Sequence, residues 1–134
     1  MGELLWGMWG HYMAVTAGLI AIDGGLWSFI FNYPSLDMFK TLPLYAPISI
    51  PGAASILLGV LTEIIELKFK APVALRAIYY LICAAVAGFQ FSTVIGMQCY
   101  LVTFFVLMIA AFKGESGDFE ADIKGRQKAS RSNA

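Results

Sequence analysis

The stretch Ala77–Phe112, AIYYLICAAVAGFQFSTVIGMQCYLVTFFVLMIAAF, runs for 36 residues without a charged side chain. A single straight helix of that length would be about 54 Å long at a rise of 1.5 Å per residue. A bilayer's hydrocarbon core is only about 30 Å thick. The stretch is too long for one span and about right for two, so it is expected to fold back as a transmembrane hairpin. The expected turn is near Gly96-Met97-Gln98, with limbs over about Val73–Ile95 and Met97–Phe112.

Composition agrees with a membrane class. The chain has 134 residues, 59% hydrophobic and 13% charged, against about 25% charged in average soluble domains. Mean hydropathy is +0.73. Formal net charge is zero, so no nucleic-acid footprint is expected. The start of the chain lacks the basic n-region of a signal peptide. Trp6 breaks the myristoylation pattern that Gly2 would open.

Outward from the hairpin, a first span is expected over about Met8–Phe31. Trp6, Trp9 and Tyr12 mark one end, and Trp27, Phe29 and Tyr33 the other, as aromatic belts do. Asn32–Pro51 carries Pro34, Pro43, Pro47 and Pro51. Proline lacks a backbone donor and restricts its predecessor, so a structured surface loop is expected there. A second span follows over about Pro51–Leu67, capped near Ser49 or Ile50, with Glu63 and Glu66 in its last turns. Residues 1–113 thus form a transmembrane domain, and residues 114–134 a polar tail expected to be mostly disordered. The fold class is all-α, an integral membrane four-helix bundle.

Orientation follows from Lys and Arg. With four spans, Lys68, Lys70, Arg76, Lys113, Lys124, Arg126, Lys128 and Arg131 share one side, and Lys40 alone holds the other. The bias places both termini in the cytosol.

Few residues carry chemistry. Small residues recur at four-residue spacing in Ala84, Gly88, Ser92 and Gly96, and in Ala17, Ala21 and Gly25 with Gly24 and Ser28 beside them. Such stripes let helices approach closely in lipid, either within the bundle or against a partner's helix. Asp23 is an intramembrane charge, for which a role is the default hypothesis. It could relay protons, ligate an ion, bond another helix or cap the backbone at Gly24 and Gly25. Arg76 could snorkel to headgroups, pair with Glu63 or Glu66, or face a partner. His11 is the one histidine, so a bis-histidine haem site within the chain is excluded. Two distant cysteines and one histidine build no zinc site. Cys83 and Cys99 would lie about 20 Å apart along the expected hairpin, beyond the roughly 7 Å that a disulfide tolerates. Phosphate loops, nucleotide fingerprints and nucleophile–base pairs are absent from the pattern.

Two segments resemble the p22-phox family, the cytochrome b-245 light chain, or alpha subunit of flavocytochrome b in the NADPH oxidase. The first is Met1-Gly2-Glu3-Leu4-Leu5-Trp6-Gly7-Met8-Trp9 followed by Ala17-Gly18-Leu19-Ile20 and Gly24-Gly25. The second holds Arg76-Ala77, Ala87-Gly88-Phe89, Thr93-Val94-Ile95-Gly96 and Ala110-Ala111-Phe112-Lys113-Gly114-Glu115. The resemblance implies a non-catalytic four-span subunit, cytosolic at both ends. It would bind and stabilise a catalytic subunit carrying haem and FAD, support its maturation from the endoplasmic reticulum to the plasma membrane or endomembranes, and so support superoxide production. No cofactor would be bound by this chain itself. Trp6, Trp9, Gly18, Gly24, Gly25, Arg76, Ala84, Gly88, Ser92 and Gly96 would then serve packing or partner binding.

The sequence departs from animal members in lacking proline after Pro72, which leaves no PxxP ligand for an SH3 organiser protein. The loop between the second and third spans is also shorter, and the outer proline-rich loop expanded. The chain reads as a divergent member. The rival reading is a small four-span proton-coupled transporter using Asp23. A third is a membrane adaptor whose basic tail binds anionic lipid.

Overall fold

The computed structural model describes residues 5–31, 33, 36–41, 43, 49–68, 71–115 and 119–133, with backbone only at 39 and 119–122. Among these residues the regular elements are all helical: α1 Trp6–Ile30, α2 Ile50–Lys68, α3 Val73–Ala87, α4 Val94–Phe112 and α5 Phe119–Ser132. Short 3-10 turns cover Asp37–Thr41 and Phe91–Thr93. Three stretches, Trp6–Ile30, Ile50–Lys68 and Phe91–Phe112, are long and apolar enough to cross a membrane, and Val73–Ala87 is a shorter apolar helix. This is consistent with an integral membrane protein. The 25 residues of α1 reach about 37 Å, so in a bilayer α1 would tilt.

α1 is the central helix because its inward face has almost no side chains. Its buried residues are Gly7, Gly10, Ala14, Ala17, Gly18, Ala21, Gly24, Gly25 and Ser28. Leu19, Leu26, Trp27, Phe29 and Ile30 point outward. Backbones therefore meet at van der Waals distance, where dispersion contacts do the holding that water would otherwise drive. α2 runs antiparallel to α1. A Cβ on Gly18 would stand 3.3 Å from the Gly59 carbonyl, and one on Gly25 would stand 2.8 Å from that of Gly52. α4 lies antiparallel on the other side of α1. A Cβ on Gly10 would strike Leu107, one on Gly96 would lie 3.5 Å from the Cα of Ala21, and one on Gly24 would strike Ser92. α3 packs mainly on α4, and its contact with α2 is sparse.

The hairpin turn falls earlier than its sequence midpoint. α3 stops at Ala87 and α4 starts at Val94, so the expected limbs to Ile95 and from Met97 are corrected. Polar bonds fix the turn at Gly88–Gln90. Buried Gln90 accepts a hydrogen bond from Ser49 Oγ at 2.7 Å, pinning the turn to the start of α2. Thr93 Oγ1 donates to the Ala87 carbonyl at 2.5 Å and to that of Gln90 at 3.1 Å. Gly96 instead serves helix packing within α4. The expected stripe of Ala84, Gly88, Ser92 and Gly96 is accordingly split: Ala84 is buried in α3, Gly88 and Ser92 flank the turn, and Gly96 faces α1.

Ser49 caps α2 by accepting from the Gly52 amide at 3.2 Å, with Pro51 in the first turn. The proline-rich loop lies largely outside the described residues, as do Met1–Leu4 and Lys70. Its described 3-10 turn carries an ion pair, Lys40 Nζ to Asp37 Oδ1 at 2.6 Å. That hydrogen bond and charge hold the exposed Asp37 carboxyl below its usual range. The tail, expected to be mostly disordered, forms α5. Helix-compatible residues such as Glu120, Ala121, Lys124, Arg126, Gln127 and Lys128 outnumber its one glycine, Gly125.

Candidate functional site

The helix end where α1 begins gathers the ionisable residues. Glu66, in the last turn of α2, and Arg76, in the first turn of α3, are brought together by the short connection between them. Arg76 Nη2 reaches both Glu66 oxygens, at 2.6 and 2.5 Å, and Nε reaches Oε1 at 3.1 Å. Tyr80, one turn beyond Arg76, donates its hydroxyl to Glu66 Oε1. His11 of α1 adds its Nδ1 at 2.5 Å from Oε2. The side chains of Glu66 and Arg76 are 1% and 4% exposed, and that of His11 is 21% exposed. One carboxylate thus joins three helices.

Burying such a pair is costly, and the planar Arg fork with its matching carboxylate is the geometry that best offsets the cost. The second charge on α2, Glu63, is not part of this pairing. Its Oε1 is buried without a hydrogen-bond partner and lies 2.6 Å from where a Cβ on Gly18 would be. Gly18 is therefore the residue that makes room for Glu63.

A layer of hydroxyls sits one turn deeper. Thr62 Oγ1 donates to the Leu58 carbonyl at 2.8 Å and lies 3.3 and 3.2 Å from the hydroxyls of Tyr79 and Tyr100. Tyr79 donates to the same Leu58 carbonyl at 2.9 Å. Tyr80 and Tyr100 stack with ring centroids 5.9 Å apart. Threonine and tyrosine can hydrogen-bond between helices where water is absent, so this layer links α2 to α3 and α4.

A third polar contact closes the two ends of the helical region. Glu115, just past α4, accepts from the amides of Trp6 at 3.2 Å and Gly7 at 2.6 Å. α1 has no side-chain cap of its own, so this carboxylate supplies the negative charge that a helix N-terminus favours. Arg126 of α5 reaches Glu115 at 3.3 Å. Lys113 lies over the Trp6 ring, 5.3 Å from its centroid.

The structure brings together some of the residues singled out from the sequence. Gly24 meets Ser92, Gly25 meets α2, Gly18 meets Glu63 and α2, and Gly96 meets Ala21. Gly88 faces Met97. Ala84 is 2% exposed in the core. Arg76 pairs with Glu66 rather than snorkelling, and Trp6 packs at the core margin. Trp9 is 52% exposed and Asp23 is exposed on α1, so neither is drawn into the polar network.

The sequence reading missed His11 as a partner of Glu66, Glu115 as the cap of α1, and Gly52 and Gly59 as the surface facing α1. A usable signal existed for the last. Gly52 and Gly59 are seven residues apart, matching Gly18 and Gly25 on α1. The polar groups are spent chiefly on joining helices. Among the described residues, no group of three or more His, Cys, Asp or Glu is placed to hold a metal ion. No protein-family model matches the chain.

Proposed function

We propose that this chain is a non-catalytic membrane subunit of the p22-phox type, which binds and stabilises a haem- and FAD-carrying NADPH oxidase subunit and so supports superoxide production. One observation carries the reading. The described parts of the two segments that resemble the family, Leu5–Gly25 and Arg76–Glu115, are distant in sequence but pack together, α1 against α4. They meet at Gly10 and Leu107, Ala21 and Gly96, Gly24 and Ser92, and Gly7 and Glu115. A resemblance split over two distant segments is better supported when the parts form one packing unit than when they lie apart.

In this reading α1 to α4 form a four-helix transmembrane bundle with both termini cytosolic. The end holding Glu66, Arg76 and Glu115 faces the cytosol, as the excess of Lys and Arg there favours. The subunit acts through packing: it shields the catalytic subunit's helices from lipid and supports passage from the endoplasmic reticulum to the plasma membrane or endomembranes. Haem and FAD belong to the partner, and recruitment of an SH3 organiser would need a route other than this tail.

The test is co-expression of the tagged chain with an oxidase catalytic subunit, followed by purification in mild detergent. The expected result is a co-purifying polypeptide with a reduced haem Soret band, and no such band from the chain alone. Unchanged abundance of the catalytic subunit with and without this chain would refute the proposal.

A further inference from the structure

α1 gives its inward faces to α2 and α4 and leaves a third face open along its length. Tyr12, Thr16, Leu19, Asp23, Leu26 and Ile30 are exposed there. They step by four and three residues in turn, the spacing with which one helix lies along another. Leucine and isoleucine on such a face suit lipid and a partner helix alike, so the polar positions decide. Thr16 Oγ1 donates to the Tyr12 carbonyl at 3.0 Å and is satisfied within α1. Asp23 has no such bond: among the described residues no donor or cation pairs with it. Lys40, the lysine placed on the outer side, is held by Asp37.

Depth excludes lipid as the cover of Asp23. Asp23 lies four residues before Trp27, about 6 Å inside the outer aromatic belt. Its single methylene cannot carry the carboxylate to the headgroups, as the long stems of lysine and arginine do. A carboxylate facing hydrocarbon at that depth is costly, and intramembrane charges face protein or a water-filled cavity instead.

Symmetry excludes a second copy. Copies insert in one orientation, so a two-fold axis would set α1 parallel to α1 and bring Asp23 against Asp23. Two carboxylates in low dielectric repel, whereas a cation on the facing helix attracts. We propose that the Tyr12–Ile30 stripe of α1 docks a transmembrane helix of the oxidase catalytic subunit, and that a lysine or arginine of that helix pairs with Asp23. The identity of the partner rests on the subunit reading above; the need for a cation rests on Asp23.

The test is co-expression of the tagged full chain with the catalytic subunit, purification in mild detergent, and the haem Soret band as readout. Asp23→Leu and Asp23→Asn should each retain about ten-fold less haem than wild type, because both leave the partner's cation without its counter-charge. The free chains of both variants should melt as wild type does, since Asp23 is exposed. A photo-crosslinker at Leu26 should capture the catalytic subunit. Full haem retention by Asp23→Asn, which keeps the shape and loses the charge, would overturn the pairing and leave the subunit reading standing. Capture of lipid alone or of a second copy from Leu26 would overturn the docking face. No haem band with the wild-type chain would refute the subunit reading itself, and the partner named here with it.

Discussion

Replacing Gly24 by alanine tests whether α1 and α4 are held at backbone contact. The added Cβ would lie 2.6 Å from the Ser92 carbonyl oxygen and 3.2 Å from both the Ser92 carbonyl carbon and the Thr93 Cα. These are main-chain atoms of a turn tied to Ala87 and Gln90 by the Thr93 hydroxyl, so they cannot swing aside. The same change at Gly88 meets the Met97 sulfur at 2.9 Å and two carbonyls at 3.4 Å. A methionine end can rotate away, and Gly88 has φ of −69°, a conformation alanine adopts freely. Alanine gains about 1 kcal/mol over glycine inside a helix, while overpacking costs about 1–3 kcal/mol. With backbone as the obstacle, the upper part of that range applies. Gly24→Ala should therefore lose about 1–2 kcal/mol net, and Gly88→Ala should stay within about 0.5 kcal/mol of wild type. Thermal unfolding in mild detergent should show Gly24→Ala melting a few degrees lower and Gly88→Ala unchanged. Co-expressed partner abundance should fall in the same order. If Gly24→Ala melted at or above the wild-type temperature while Gly88→Ala melted below it, the α1–α4 contact argued above would be wrong.

Other substitutions test the polar contacts. Glu66→Gln leaves Arg76 buried without its counter-charge and should cost about 3–5 kcal/mol, whereas the double change Glu66→Met with Arg76→Met should recover much of that loss in a double-mutant cycle. Glu115→Gln should speed hydrogen exchange at the Trp6 and Gly7 amides and lower stability by up to about 2 kcal/mol; unaltered exchange would count against the cap. For topology, cysteine at Lys40 should react with an impermeant maleimide on intact cells, and cysteine at Lys113 only after permeabilisation, with the reverse pattern refuting the orientation. Asp23→Asn should change stability by less than about 0.5 kcal/mol, because Asp23 is exposed on α1. A larger loss in the assembled complex than in the chain alone would show that Asp23 faces a partner.

What could be read from sequence was what depends on one helix at a time. Uncharged length marked the apolar helices, and the ends of α1 and α2 fell within two residues of expectation, the usual scatter at helix ends. Ser49 and Pro51 marked the start of α2 because capping is local. The hairpin turn was misplaced because Gly88 and Gly96 look alike in sequence. Gln90 decides between them through Ser49, which is 41 residues away. Arg76 offered two acidic partners at similar sequence distance, and helix rotation alone selects Glu66. His11 and Glu115 carry no pattern that announces their partners, since each bonds an element far along the chain. Asp23 drew attention by its charge, yet it sits on a turn of α1 that faces outward.

The distribution of polar contacts explains why a mostly apolar chain can still hold a defined arrangement. In lipid, burying leucine against leucine gives no hydrophobic driving force, so register must come from close backbone packing and from polar groups. α1 obtains it from glycine and alanine, against α2 on one side and α4 on the other. α3 is fixed differently, through Arg76 and Tyr80 to Glu66 at one end and Gln90 to Ser49 just past the other. Between the tyrosine layer and Gln90 the α2–α3 seam has neither device. An apolar groove lies at the other end of this seam, on the outer side of the Glu66–Arg76 pair, along Ile65, Ala71, Leu75, Ile78, Tyr79 and Ile82. Small residues on both helices beyond the tyrosine layer should draw α2 and α3 together there, while leaving the Glu66–Arg76 pair in place.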